Sequence, residues 1–251
     1  MAGTVRIDAL PSSGWRYQDY DAVVCIDILL AGSTVVTAAA QGRRTFLAAT
    51  PLDALAVSGD VGRAVRAVDL GADCPSGFLD EAGPAYLAAN AETPVPLVLV
   101  SDMARLLENA RGGPRLYVAS LRNLRATAEH LAARYGRVAV LGVGEQGEVR
   151  SEDQMAAVWL TQMLERRGAA LEDRGTQAEV ARWGTADVSL LGWTRSAEQL
   201  RRAGRQRDLD LVQDGQDDLD IVCEYRDGEV RAVPAGVVPG VGEPVALGAR
   251  G

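Results

Sequence analysis

Asp27 stands near the carboxyl end of an unbroken apolar run, VVCIDILLAGSTVVTAAA over residues 23–40, just before Gly32, Ser33 and Thr34 open a helical stretch. A run rich in Val and Ile reads as a strand buried on both faces. In an open, mostly parallel sheet, the crevice beyond the strand ends collects side chains and helix-start amides able to hold an anion. The same residues also fit a plain structural role, with Asp27 ending the strand and Ser33 capping the helix. A second acidic group, Glu145, Glu148, Glu152 and Asp153, surrounds the end of another apolar run and the start of the helix after it. A helix dipole favours carboxylates there, so local structure accounts for part of the group. If the two strands are neighbours, several carboxylates meet in one crevice. Hard oxygen ligands gathered in this way suit Mg²⁺, which combines a few carboxylates with water and substrate phosphate.

Other motifs lead less far. Gly142, Gly144 and Gly147 spell G-x-G-x-x-G after a strand. A capping box at Ser151 and Gln154 nevertheless puts the helix start too late for a dinucleotide fold, and Glu145 and Glu148 would repel a pyrophosphate. Asp218-Leu219-Asp220 has the D-x-D spacing of aspartyl phosphatases but precedes its apolar run rather than ending one, as a polar turn does. The chain has no lysine, its 26 basic residues all being arginine, which removes Schiff-base chemistry and a Walker lysine. The single histidine, His130, lies in the amphipathic stretch RATAEHLAARYG and reads as a structural residue. Cys25, Cys74 and Cys223 form no CxxC pair and read as reduced thiols.

The elements that must position these residues follow from hydrophobic period. Strands at TVRIDAL (an edge), residues 22–29, RTFLAAT, VPLVLVS, RLYVAS and RVAVLGVG alternate with helices near residues 33–41, 51–57, 103–113, 123–135 and 151–167. Such alternation implies right-handed crossovers and a three-layer α/β/α fold with a mostly parallel sheet. Residues 1–174 are expected to form the α/β core carrying the site. Residues 175–238, with arginine-rich helices and a hairpin at Asp227-Gly228, would pack as a smaller C-terminal α+β lobe, and residues 239–251 would form a flexible Pro/Gly-rich tail. A net charge of −8 and scattered arginines exclude a nucleic-acid surface. Neither a membrane span nor a secretion signal is evident, so a cytoplasmic protein is expected, and a homodimer is the commonest assembly for one.

Taken in order, several blocks resemble the 2-phosphosulfolactate phosphatases, the ComB family. The family's D-x-L-R-A-T-T-T is similar to residues 27–34, DILLAGST; its G-F-D-x-G-N-S-P to residues 68–75, VDLGADCP, with one residue extra. G-S-x-x-N-A corresponds to ASLRNL at 119–124, G-x-F-S-x-E-D to GEVRSED at 147–153, and the closing D-x-x-x-C and V-P signals to Asp220, Cys223, Val233 and Pro234. The resemblance implies Mg²⁺-dependent hydrolysis of a small phosphorylated substrate. Asp27, Glu152 and Asp153 would serve as metal carboxylates, Asp27 and Glu152 as catalytic groups, and Ser33, Thr34, Ser120 and Asn123 as substrate-binding residues.

Three departures bear on mechanism. Leu30 stands where the family has Arg, and VSDMA at 100–104 replaces T-T-N-G-T. The Asn of the G-N-S-P block is also absent. Leucine makes no bidentate hydrogen bonds to an oxyanion, so another cation, Arg122 or Arg105, would have to substitute. Two readings therefore stand together: a phosphatase, or a degenerate relative that has changed substrate or lost hydrolysis and acts as a binding or assembly protein.

Overall fold

The computed structural model describes residues 3–8, 13–69, 74–80, 82–92, 94–144 and 147–234. Glu145, much of the loop before Pro75, and the expected tail at 239–251 lie outside the described residues. In chain order the elements are β1 (Thr4–Asp8), β2 (Ala22–Ile26), α1 (Ala31–Ala40), β3 (Thr45–Ala48), α2 (Pro51–Val61), β4 (Val65–Val68), α3 (Pro84–Ala89) and β5 (Leu97–Val100). They continue with α4 (Asp102–Asn109), β6 (Arg115–Ala119), α5 (Leu124–Arg134), β7 (Arg137–Gly142), α6 (Ser151–Glu165) and β8 (Ala170–Leu171). The chain then adds α7 (Arg174–Trp183), α8 (Arg195–Arg202), α9 (Gln206–Asp214), β9 (Ile221–Arg226) and β10 (Glu229–Pro234).

All the strands join one ten-stranded sheet in the order β4-β5-β3-β10-β9-β6-β2-β7-β1-β8. Period-2 alternation builds its layers. From β2, Val23 and Cys25 enter the core beneath α1 and α4, whereas Ala22, Val24 and Ile26 enter the core beneath α5 and α6. This is the three-layer, mostly parallel α/β architecture that the sequence implies. One difference concerns β1, expected at an edge: it lies between β7 and β8. With only two residues, β8 is too short to leave a hydrophobic period.

The hairpin forms where Asp227 and Gly228 both take positive φ, 51° and 82°, as a tight primed turn requires. Its place is the middle of the sheet, where β9 runs antiparallel to β6 and β10 antiparallel to β3. By pairing alone, β3, β5 and β4 therefore point opposite to β6, β2 and β7. Twist reverses that relation. At roughly 20–25° per neighbouring strand, the steps from β2 to β4 accumulate roughly 120–150°. Curl helps as well, since α1 packs against β3, β5, β6, β9 and β10 together. The carboxyl ends of β2 and β4, distant in the strand order, both border one crevice, which Asp27 and Asp69 line together. Among the described residues no helix is long and apolar enough to cross a membrane.

Candidate active site

Asp27 follows β2 directly and is 4% exposed. Helix α1 starts almost on top of it: a Cβ added at Gly32 would lie 2.2 Å from the Asp27 carbonyl oxygen and 3.1 Å from its Cβ. Only glycine permits that approach. Burial holds the Asp27 carboxyl well above the ordinary carboxylate range; Asp153 and Asp69 push it further, Glu152 adds a little, and a hydrogen bond from the Gly32 backbone opposes the trend. Its Oδ1 is buried without a hydrogen-bond partner.

Asp153 comes from the first turn of α6 and closes the other side. Its Oδ1 accepts from the Ile28 backbone N–H at 3.0 Å and its Oδ2 from the Gly144 N–H at 3.0 Å. Gly144 donates from a φ of +66°. One carboxylate thus fastens the loop after β2 to the loop after β7, strands that are themselves paired in parallel. Burial and the neighbouring Glu152 push Asp153 up to about 8 despite those two hydrogen bonds. Glu152, 1% exposed, accepts from the Ser151 hydroxyl at 3.3 Å through Oε2, while its Oε1 is buried without a partner.

A fourth acid arrives from the far end of the sheet. Asp69, one residue past β4, accepts from the Ser101 hydroxyl at 3.1 Å, and Ser101 in turn caps α4 by accepting from the Met103 N–H at 3.2 Å. Asp27, Asp69 and Asp153 share a crevice of about 10 Å³ with Leu29, Gly144, Arg150, Ser196 and Gln199. That volume is about one water. Arg150 is the single cation in this lining and is 7% exposed; burial and the nearby Arg195 lower its pKa, while Glu152 and Asp153 raise it.

The remaining sequence candidates lie elsewhere in the hydrogen-bond network. Ser33 donates to the Ile28 carbonyl at 2.8 Å and Thr34 to the Leu30 carbonyl at 3.0 Å, so both hydroxyl protons are used in holding the start of α1. Ser120 and Asn123 form a capping box on the turn after β6: Asn123 Oδ1 accepts from the Ser120 N–H at 3.0 Å and Ser120 Oγ from the Arg122 N–H at 3.3 Å. Neither candidate cation lines the crevice. Arg122 donates to Asp218 and, at 2.7 Å, to the Thr37 hydroxyl; Arg105 pairs with Asp102 at 3.2 Å. Leu30 is buried in the apolar cluster with Ile28 and Leu29. Gly142 serves packing, since a Cβ there would meet Gln154 Nε2 at 2.4 Å. His130 is a core residue whose Nε2 lies 3.1 Å from the Tyr117 hydroxyl.

Sequence reasoning did not single out Asp69, Arg150, Ser196 or Gln199 as site residues. For Asp69 a signal existed, because it occupies the Asp of the G-F-D-x-G-N-S-P block. Arg150 occupies the Ser position of G-x-F-S-x-E-D and gave no such cue. Ser196 and Gln199 sit on α8, in a region with no motif.

A curled α/β sheet with acids from β2, β4 and α6 gathered at its strand ends defines an α/β protein with one buried, carboxylate-lined crevice. Residues 8–228 match the family model for 2-phosphosulpholactate phosphatase, and the chain belongs to that family. The matched span contains every residue of the crevice. Comparison with curated proteins gave no match.

Proposed function

We propose that the protein is a magnesium-dependent hydrolase of a small phosphate monoester of the phosphosulpholactate type. One observation carries this reading: four acids, Asp27, Asp69, Glu152 and Asp153, are brought together from three separate elements, with Arg150 among them. Carboxylates packed in this way are costly unless cations share the space.

Carboxylate oxygen is the donor chemistry that magnesium takes. Two carboxylate oxygens, Asp27 Oδ1 and Glu152 Oε1, are buried without hydrogen-bond partners. Among the described residues, no group of three or more Asp, Glu, His or Cys is placed to hold a metal ion. Magnesium seldom uses an all-protein cage, because it keeps water and takes oxygen from substrate phosphate. Asp27 and Glu152, through those two oxygens, with Asp153 beside them, are the residues that would hold it, and the raised proton affinity of Asp27 and Asp153 means protons leave as it enters. Held there, magnesium would supply Lewis-acid stabilisation of charge on a phosphoryl oxygen.

The chain's own groups divide the remaining work. Arg150 would orient and neutralise the anionic head of the substrate. A Glu152 oxygen not engaged by the ion would take the proton of an attacking water. Asp153, tied to Ile28 and Gly144, keeps the two loops in register, and Ser101 holds Asp69 toward the same space.

The tightness of the crevice favours a second reading. A phosphate monoester exceeds about 10 Å³ many times over, so the crevice would have to widen before substrate enters. Together with Leu30 at the family's arginine position, this supports a relative with altered substrate or without hydrolysis. Phosphate release from phosphosulpholactate and a panel of small phosphate esters, with and without Mg²⁺, decides between the two. Turnover abolished by Asp27→Ala and Glu152→Ala supports the phosphatase; no turnover across the panel by folded protein rejects it.

A further inference from the structure

Away from the crevice, a cleft of about 450 Å³ lies beside the amino end of β4, lined by Arg43, Arg63 and Arg66 together with Leu79, Tyr86 and Asn90. Among the described residues no carboxylate is in its lining. In a chain of net charge −8, three arginines without an acid among them are a local reversal of sign.

The three differ in how they are held. Arg43 is 4% exposed and fixed, donating from Nε to Gln41 at 2.7 Å, from Nη1 to the Val95 carbonyl at 3.0 Å, and from Nη2 to the Asn90 carbonyl. All of those acceptors are neutral, so its charge is solvated but not cancelled. Arg66 lies over the Phe78 ring, 5.7 Å from the centroid, and its Nε is buried without a hydrogen-bond partner. Neither Arg66 nor Arg63 makes an ion pair among the described residues, whereas arginines elsewhere on the surface pair repeatedly with Asp and Glu. A fixed guanidinium, a stacked one with an unused donor and a third at the rim together make a fork-rich wall for an oxyanion. Leu79 and Tyr86 add apolar surface for a carbon body, and the volume falls in the range of small-molecule sites.

We propose that this cleft is a second anion site, separate from the catalytic crevice, which binds a small organic phosphate through Arg66 and Arg63 against the fixed charge of Arg43.

Calorimetric titration of magnesium-free protein in EDTA with glycerol 3-phosphate and with inorganic phosphate tests it, because without a divalent ion the acid-lined crevice repels both. The expected result is one glycerol 3-phosphate bound per chain, with inorganic phosphate binding more weakly. Arg66→Gln and Arg63→Gln should each weaken binding about tenfold, the scale of a lost charge-assisted hydrogen bond. Arg150→Gln should leave it unchanged. Arg63 is exposed, so its substitution reports on binding even if Arg66→Gln perturbs folding. The proposal is overturned if neither ligand binds at about 10 mM, some tenfold above the Kd of a weak ~4 kcal/mol site. It is also overturned if Arg63→Gln binds as wild type does, or if Arg150→Gln abolishes the binding. Equal affinity for the two ligands would overturn the organic part of the assignment. None of these outcomes depends on whether the crevice hydrolyses anything.

Discussion

Asp153 holds Ile28: a carboxylate on the first turn of α6 accepts, at 3.0 Å, the backbone N–H of the residue following Asp27. Through its other oxygen it holds Gly144 at the end of the neighbouring strand. The crevice is therefore clamped by one of its own acids, and its shape and charge cannot be varied independently.

Gly32→Ala should distort the site more than the fold. The new methyl would meet backbone at 2.2 Å, and no flexible side chain can yield there. Overpacking of this kind costs about 1–3 kcal/mol. Urea denaturation should show that loss while magnesium-dependent turnover falls well beyond it; wild-type activity in the variant would contradict the close approach of α1 to Asp27.

Magnesium should stabilise the wild-type protein. A ligand at ten times its Kd adds about 1.4 kcal/mol, which shifts Tm by roughly 3–6 °C in a chain of this size. Asp27→Asn and Glu152→Gln should each remove most of that shift. Relief of charge crowding should also raise the melting temperature of metal-free Asp27→Asn above that of wild type, as removal of a functional strain commonly does. A magnesium shift of equal size in both variants would place the ion elsewhere.

Arg150→Gln should raise KM for a phosphate ester about tenfold or more, the expected loss for one charge-assisted contact. Its melting temperature should be measured alongside, because burial opposes the Arg150 charge while Glu152 and Asp153 favour it. Arg150→Lys should recover part of the KM, because it keeps the charge without the bidentate fork. An unchanged KM in Arg150→Gln would remove this residue from substrate binding.

His130 supplies a pH dependence unconnected with catalysis. Burial, with a contribution from Arg134, lowers its pKa to about 4 from an ordinary value near 6.5. Between those values the unfolded chain binds the proton and the folded chain does not. Stability from this group is therefore full above about pH 6.5 and lost as pH falls toward about 4. Thermal melts over that window should fall less steeply for His130→Gln than for wild type. Parallel curves would show that His130 contributes nothing to acid sensitivity.

Much of the fold could be read directly from the chain, because hydrophobic period is a local property. The apolar run around Asp27, the helix opening at Ser151 and the Asp227-Gly228 turn each obey rules that act within a few residues. Residue chemistry likewise singled out Asp27, Glu152 and Asp153. What local rules cannot encode is which strand tips meet. The hairpin wedged between β6 and β3, and the twist carrying β4 round to β2, decided that Asp69 joins the crevice. Side-chain direction is equally a tertiary outcome. Ser33 and Thr34 had the right type and place, yet nearby carbonyls captured their protons. Arg122 and Arg105 found other partners, and Arg150, unremarkable in sequence, faces the acids because α6 begins where β7 ends. Type and spacing are written along the chain; convergence depends on how distant segments pack, and only the folded sheet settles it.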